Sequence, residues 1–174
     1  MKRLYVSILT LFLCVSGLNA RAQQLYLDLG DKLTEYPKVE WIKGQGFTKF
    51  DERKIYVIEL WATWCKPCIA AMPHLNELYR KFKDKNVVII AQNVMEDDRQ
   101  KVEEFVKQNT DKLSYPVAYS GAADSDFDKK WLKAAGVSRI PATFVIQNNK
   151  LVWQTTPYMV NEKYFSCWLM VNLR

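Results

Sequence analysis

Cys65 and Cys68 stand two residues apart in the stretch Trp61-Ala62-Thr63-Trp64-Cys65-Lys66-Pro67-Cys68, directly ahead of a segment with helical periodicity. At the start of a helix, two cysteines so spaced can close a small disulfide ring. The first thiol then lies at the positive end of the helix dipole, where its thiolate is stabilised. Such thiols have pKa values of roughly 3.5–7.5 against about 8.5 for a free cysteine, so a useful fraction is nucleophilic at neutral pH. Cys65 is the candidate nucleophile. Cys68, one turn further in and expected to be more buried, is the candidate resolving thiol that attacks a mixed disulfide formed at Cys65. Lys66 places a cation beside the thiolate, and Pro67 suits a first helical turn because its missing N–H would have had no partner there.

The same cysteine spacing supplies half of many zinc sites, which need two further ligands. The sequence offers one histidine, His74, no second close cysteine pair, and Cys167 far along the chain. Covalent haem attachment is excluded because Ile69, not histidine, follows Cys68. No metal or other cofactor is expected.

The elements that must hold these thiols follow from the hydrophobic pattern. Lys54 to Trp61 (KIYVIELW) is an almost continuous apolar run of strand length, the mark of a central strand covered on both faces. Beyond the cysteines, Met72, Leu75, Tyr79 and Phe82 form the apolar stripe of a helix of about four turns, with a kink expected at Pro73. Asn86 to Val94 is a second buried strand, followed by Asp97 or Asp98 as N-cap of a helix bearing Val102, Phe105 and Val106. Tyr115 to Ser120 suggests a short strand, and Ser125 with Asp128 a capping box opening a helix that stops at Gly136. Ala142 to Gln147, the Asn148-Asn149 turn and Lys150 to Gln154 read as a hairpin, and a terminal helix begins near Asn161. Val39 to Phe50, broken by Gly44 and Gly46, predicts a further small hairpin near the N-terminus. Strands alternating with helices early and a hairpin late imply a mixed sheet with helices on both faces.

Met1 to Ala22 carries Lys2 and Arg3, an apolar stretch from Leu4 to Leu18, and Ala20-Arg21-Ala22. This is the pattern of a secretory signal peptide cleaved after Ala22, and the stretch is shorter than a bilayer span requires. Cys14 offers a lipid-anchor alternative, although Leu13 rather than a small residue precedes it. Removing residues 1–22 leaves residues 23–174 as one domain with enough chain for a proper core. It also removes Lys2, Arg3 and Arg21, taking the formal charge from +6 to +3, too little to argue for nucleic-acid or membrane binding. The remaining cysteines, a close pair plus Cys167, do not make a disulfide-stapled scaffold.

The stretch Trp61 to Cys68, with Pro73 beyond it, resembles the active-site segment of thioredoxin-like proteins, in particular the exported TlpA/ResA type. The segment Gly136-Val137-Ser138-Arg139-Ile140-Pro141-Ala142-Thr143-Phe144 is similar to the one in which that family holds a cis-proline against the cysteines. The likeness runs from about Val39 to Trp153. It implies an α/β thioredoxin fold, a central mixed β-sheet with helices on both faces and an N-terminal β-hairpin extension. It further implies that Pro141 is cis and that the Ile140 backbone pairs with an extended partner peptide. Glu59, late in an apolar strand, sits where family members often carry a buried acid. Burial would raise its pKa and make it a proton acceptor for Cys68. Trp64 beside the nucleophile offers either a docking surface or a core side chain. A glutamate three positions after the second cysteine, frequent in this type, is replaced by Ala71, and the sequence beyond Trp153 matches poorly.

The activity so implied is thiol-disulfide exchange with cysteine-containing exported proteins, in the reducing direction, with a second redox protein recycling the pair in the periplasm. Two rivals are a peptide-binding module with a locked structural disulfide and a thiol-dependent peroxidase. The peroxidase lacks its expected threonine-x-x-cysteine pattern.

Overall fold

The computed structural model describes residues 26–172. The proposed signal segment, Cys14 included, lies outside them. Six strands form one mixed sheet: β1 (Glu40–Lys43), β2 (Ile55–Trp61), β3 (Val87–Asn93), β4 (Val117–Tyr119), β5 (Ala142–Gln147) and β6 (Lys150–Thr155), ordered β1-β4-β3-β2-β5-β6. β2 pairs in parallel with β3, and β3 with β4, while the β1–β4, β2–β5 and β5–β6 pairs are antiparallel. The helices are α1 (Lys66–Phe82), α2 (Arg99–Gln108) and α3 (Glu162–Asn172), with a π-helical segment over Asp128–Lys133. This is the thioredoxin fold that the sequence implied.

β2 is central because every one of its residues is buried, and the alternation of a strand sends its side chains into two cores. Ile55, Val57 and Trp61 meet Cys68, Met72, Leu75 and Phe82 of α1, together with Val102 and Val106 of α2 and Phe165 of α3. Tyr56, Ile58 and Leu60 meet Trp131 and Leu132 of the π-helical segment, Phe127 just ahead of it, and Tyr36 and Phe50 of the N-terminal stretch. Helical elements therefore cover both faces. α1 continues through Pro73 to Phe82, and Asp98 caps α2 by accepting from the Lys101 N–H at 3.0 Å.

The expected capping box is half realised. Ser125 Oγ accepts the Asp128 N–H at 3.0 Å, but the Asp128 carboxylate turns to the Asp124 N–H. Gly136 ends that segment with a φ of +65°, a backbone geometry that glycine adopts at no steric cost. Asn148 and Asn149, both at positive φ, make the two-residue turn between β5 and β6.

The N-terminal hairpin does not form. Residues 40–43 pair with β4 instead, Glu40 opposite Tyr119 and Trp41 opposite Ala118, and the returning chain makes only an isolated bridge between Lys49 and Glu35. Aromatic packing takes the place of a ladder. Phe47 lies 5.6 Å from Trp41 and 4.9 Å from Tyr36, and Gly46 sits so close to the Trp41 indole that a Cβ there would come within 2.4 Å. β1 is thus spent on covering the otherwise open edge of β4.

Candidate functional site

β2 carries the chain to the end of the sheet, and the turn after Trp61 closes with the Cys65 N–H on the Ala62 carbonyl at 3.0 Å. Cys65 is the N-cap of α1, and its Sγ accepts the Cys68 N–H at 3.3 Å. The two cysteines are joined in a disulfide with their Cα atoms 5.3 Å apart. The first turn of α1 contains no acidic side chain and the last carries Arg80 and Lys81. The positive N-terminal end is therefore not neutralised where a Cys65 thiolate would form. Both cysteines are buried, Cys68 wholly and Cys65 with 3% exposure, which leaves Cys65 the more accessible of the two. Cys68 Sγ lies 3.7 Å from the Leu60 carbonyl oxygen, the acceptor for its S–H once the pair is reduced.

The surroundings are open and apolar. Trp64 is 53% exposed, with its indole N–H donating to the Met95 carbonyl at 3.3 Å, which fixes the ring outside the core. Lys66 and Pro67 are exposed, and the Pro67 carbonyl accepts the Tyr158 hydroxyl at 3.0 Å. Ile140 and Pro141 are half-buried and joined by a cis peptide bond. Because Ala142 stands opposite Leu60, Pro141 extends β5 toward the sheet end from which the Cys65 turn leaves.

Glu59 faces the α1 side of the sheet and is completely buried. Its Oε2 accepts the Tyr115 hydroxyl at 3.2 Å, and Oε1 has no hydrogen-bond partner. Burial pushes its pKa up to about 8, against a smaller lowering by the Tyr115 hydrogen bond. It directly precedes Leu60, whose carbonyl neighbours Cys68 Sγ.

One residue of the site escaped sequence reasoning. Glu96, in the acidic run 96–98 that carries no catalytic motif, is buried and accepts from the Thr63 N–H at 2.9 Å, the Thr63 hydroxyl, the Asn93 amide at 3.0 Å and Lys101 at 3.2 Å. Burial would raise its pKa, yet these donors together hold it below the ordinary carboxylate value. It ties the Cys65-bearing turn to the end of β3. Thr63, a polar residue between buried Ala62 and the exposed tryptophan, was the available signal. His74 places a ring nitrogen 2.7 Å from the Val160 carbonyl, and Cys167 is a free, exposed thiol. Among the described residues no helix is long and apolar enough to cross a membrane.

Residues 45–164 match the redoxin family. Among curated proteins the chain is 40% identical over 97 residues to the thiol-disulfide oxidoreductase ResA of Bacillus thuringiensis subsp. konkukian (strain 97-27), an alignment covering 56% of this chain and 51% of that one. The chain thus spans about half the length of the curated relatives it matches. Its fold is similar to that of StoA from Bacillus subtilis, with a TM-score of 0.55 at 22% identity over 72% of this chain and 95% of the other. It is also similar to a DsbF homologue from Corynebacterium diphtheriae, with a TM-score of 0.60 at 18% identity over 87% and 94%. With a disulfide-bonded cysteine pair at the start of α1 of a thioredoxin fold, the chain belongs to the redoxin family, as a thioredoxin-like protein of the TlpA/ResA type.

Proposed function

We propose that this chain is an exported thiol-disulfide oxidoreductase that reduces disulfides of exported proteins. The observation that carries the reading is the Cys65–Cys68 disulfide at the N-terminus of α1, with Cys68 wholly buried and Cys65 the more accessible of the two. The Cys65 thiolate attacks a client disulfide, forming a Cys65–client bond and releasing one client thiolate. Cys68 passes its proton to Glu59 and attacks Cys65 Sγ, forming the Cys65–Cys68 disulfide and expelling the second client thiolate. Two electrons pass from the pair to the client, whose thiolates take protons from solvent. Trp64, Lys66, Pro67, Ile140 and Pro141 form the client-binding surface at the Cys65 end of the sheet, with the Ile140 backbone pairing an extended client segment. A second dithiol protein must return the pair to its reduced form.

Export rests on the N-terminal pattern alone, with cleavage after Ala22 and a periplasmic setting, or retention at a membrane through a lipid on Cys14. The mass of the chain recovered from cells separates the three forms: residues 23–174, a lipid-bearing chain, or the uncleaved polypeptide.

A Cys68→Ser variant tests the chemistry. Incubated with a disulfide-containing protein substrate, it should accumulate a covalent mixed disulfide at Cys65, detected by intact mass and lost on adding a reductant. Trapping by Cys65→Ser and not by Cys68→Ser would reverse the assigned roles, and trapping by neither would leave a binding module with a structural disulfide.

A further inference from the structure

Glu59 is the one carboxylate on β2, and the side chains around it treat its two oxygens differently. On β3 its register neighbour is Ala91, which offers no polar group. On β5 it faces Thr143, buried and with a hydroxyl that makes no hydrogen bond. Its hydrogen-bond partner is Tyr115, fully buried ahead of β4, whose ring lies 6.0 Å from that of Tyr79 on α1 and whose hydroxyl donates to Oε2. Burial, reinforced by the neighbouring carboxylate, holds the phenol well above its ordinary pKa, so Tyr115 remains a donor and does not compete for the proton.

We propose that Tyr115 is a positioning residue for proton transfer: by donating to Oε2 it fixes the Glu59 carboxylate and directs the proton exchanged with Cys68 to the unpartnered Oε1. The proposal rests on Glu59 being the proton acceptor in the reading above. When Cys68 attacks Cys65, its S–H bond breaks, the proton bonds to Oε1, and the Cys65–client bond gives way to the Cys65–Cys68 bond. The proton stays on Glu59 while the pair is oxidised and returns to Cys68 when it is reduced. Tyr115 exchanges no proton in the cycle. It lowers the cost of the ionised carboxylate before transfer and leaves a single oxygen free to react.

The test is the pH profile of mixed-disulfide resolution, measured by rapid quench in wild type, Glu59→Gln, Tyr115→Phe and the double variant. Tyr115→Phe should move the midpoint about one unit to higher pH and slow resolution at neutral pH by up to about tenfold, since one pKa unit is a tenfold change in carboxylate. In the Glu59→Gln background it should add nothing. The infrared carbonyl band of protonated Glu59, identified by its absence in Glu59→Gln, should also shift in Tyr115→Phe. Should Tyr115→Phe not fold, 3-fluorotyrosine at position 115 keeps every contact with a stronger donor and should move the midpoint to lower pH. An altered profile in Glu59→Gln beside an unmoved profile and band in the Tyr115 variants overturns the positioning role alone. A wild-type profile in Glu59→Gln overturns the proton-acceptor reading and this proposal with it.

Discussion

Replacing Glu59 by glutamine should flatten the loss of folding stability on the alkaline side. The carboxyl has an ordinary value of 4.5 and is raised to about 8 in the folded protein, chiefly by burial. A raised acid favours folding while protonated, so its contribution is complete below the unfolded value and is lost as pH rises through the folded one. The gap of about 3.5 units corresponds to about 5 kcal/mol over the whole range, and the part between pH 6 and pH 9 to about 3 kcal/mol. A domain of this size has about 5–15 kcal/mol in total, so the change is large. Urea unfolding of the oxidised wild type and Glu59→Gln at pH 6 and pH 9 measures it. The substitution's own cost and the other titrating groups cancel when the two pH differences are compared. The wild type should lose about 3 kcal/mol more than the variant between the two conditions. Equal losses would refute a buried carboxyl with a strongly raised pKa at this position.

Glu96→Ala leaves the Thr63 N–H and the Asn93 amide without their buried acceptor and should cost about 2–4 kcal/mol, read from the urea midpoint at neutral pH. Because Glu96 is held below its ordinary value, its contribution is present above that value and lost as pH falls through the folded one. Acid unfolding of Glu96→Ala should accordingly begin from a lower plateau and be less steep. Gly46→Ala drives a methyl into an indole packed against Phe47 and Tyr36, and thermal unfolding should report a loss of about 1–3 kcal/mol. Phe165→Ala empties the contact that α3 makes with Phe82, where the rings lie 5.0 Å apart, and should cost about 3–5 kcal/mol by the same measurement.

The parts of this fold that were legible in the sequence are those where one physical requirement acts alone. β2 had to be apolar throughout because it is covered on both sides, and Asn148-Asn149 announced a tight turn because both residues tolerate positive φ. Cys65-Lys66-Pro67-Cys68 announced a pair able to close a disulfide at a helix start, and the two cysteines are bonded there. Glu59 was visible as a charge in an apolar strand, whereas Tyr115, its partner, looked like any aromatic at a strand entrance. Glu96 was hidden by its neighbours, since Asp97 and Asp98 are solvent-facing and nothing local separates the buried acid from the two that follow. The N-terminal hairpin was misread because Gly44 and Gly46 are turn signals, while the competing demand, an uncovered edge on the distant β4, leaves no local trace.

Equilibration of the purified protein with glutathione at graded ratios, followed by alkylation and mass analysis of Cys65 and Cys68, is the most direct test of thiol-disulfide exchange at this site. A pair that passes reversibly between dithiol and disulfide is predicted, and a midpoint near or below about −250 mV would agree with a reductant. A pair that stays oxidised at every ratio, and under a stronger dithiol, would contradict the exchange chemistry and leave Cys65–Cys68 as a structural clasp.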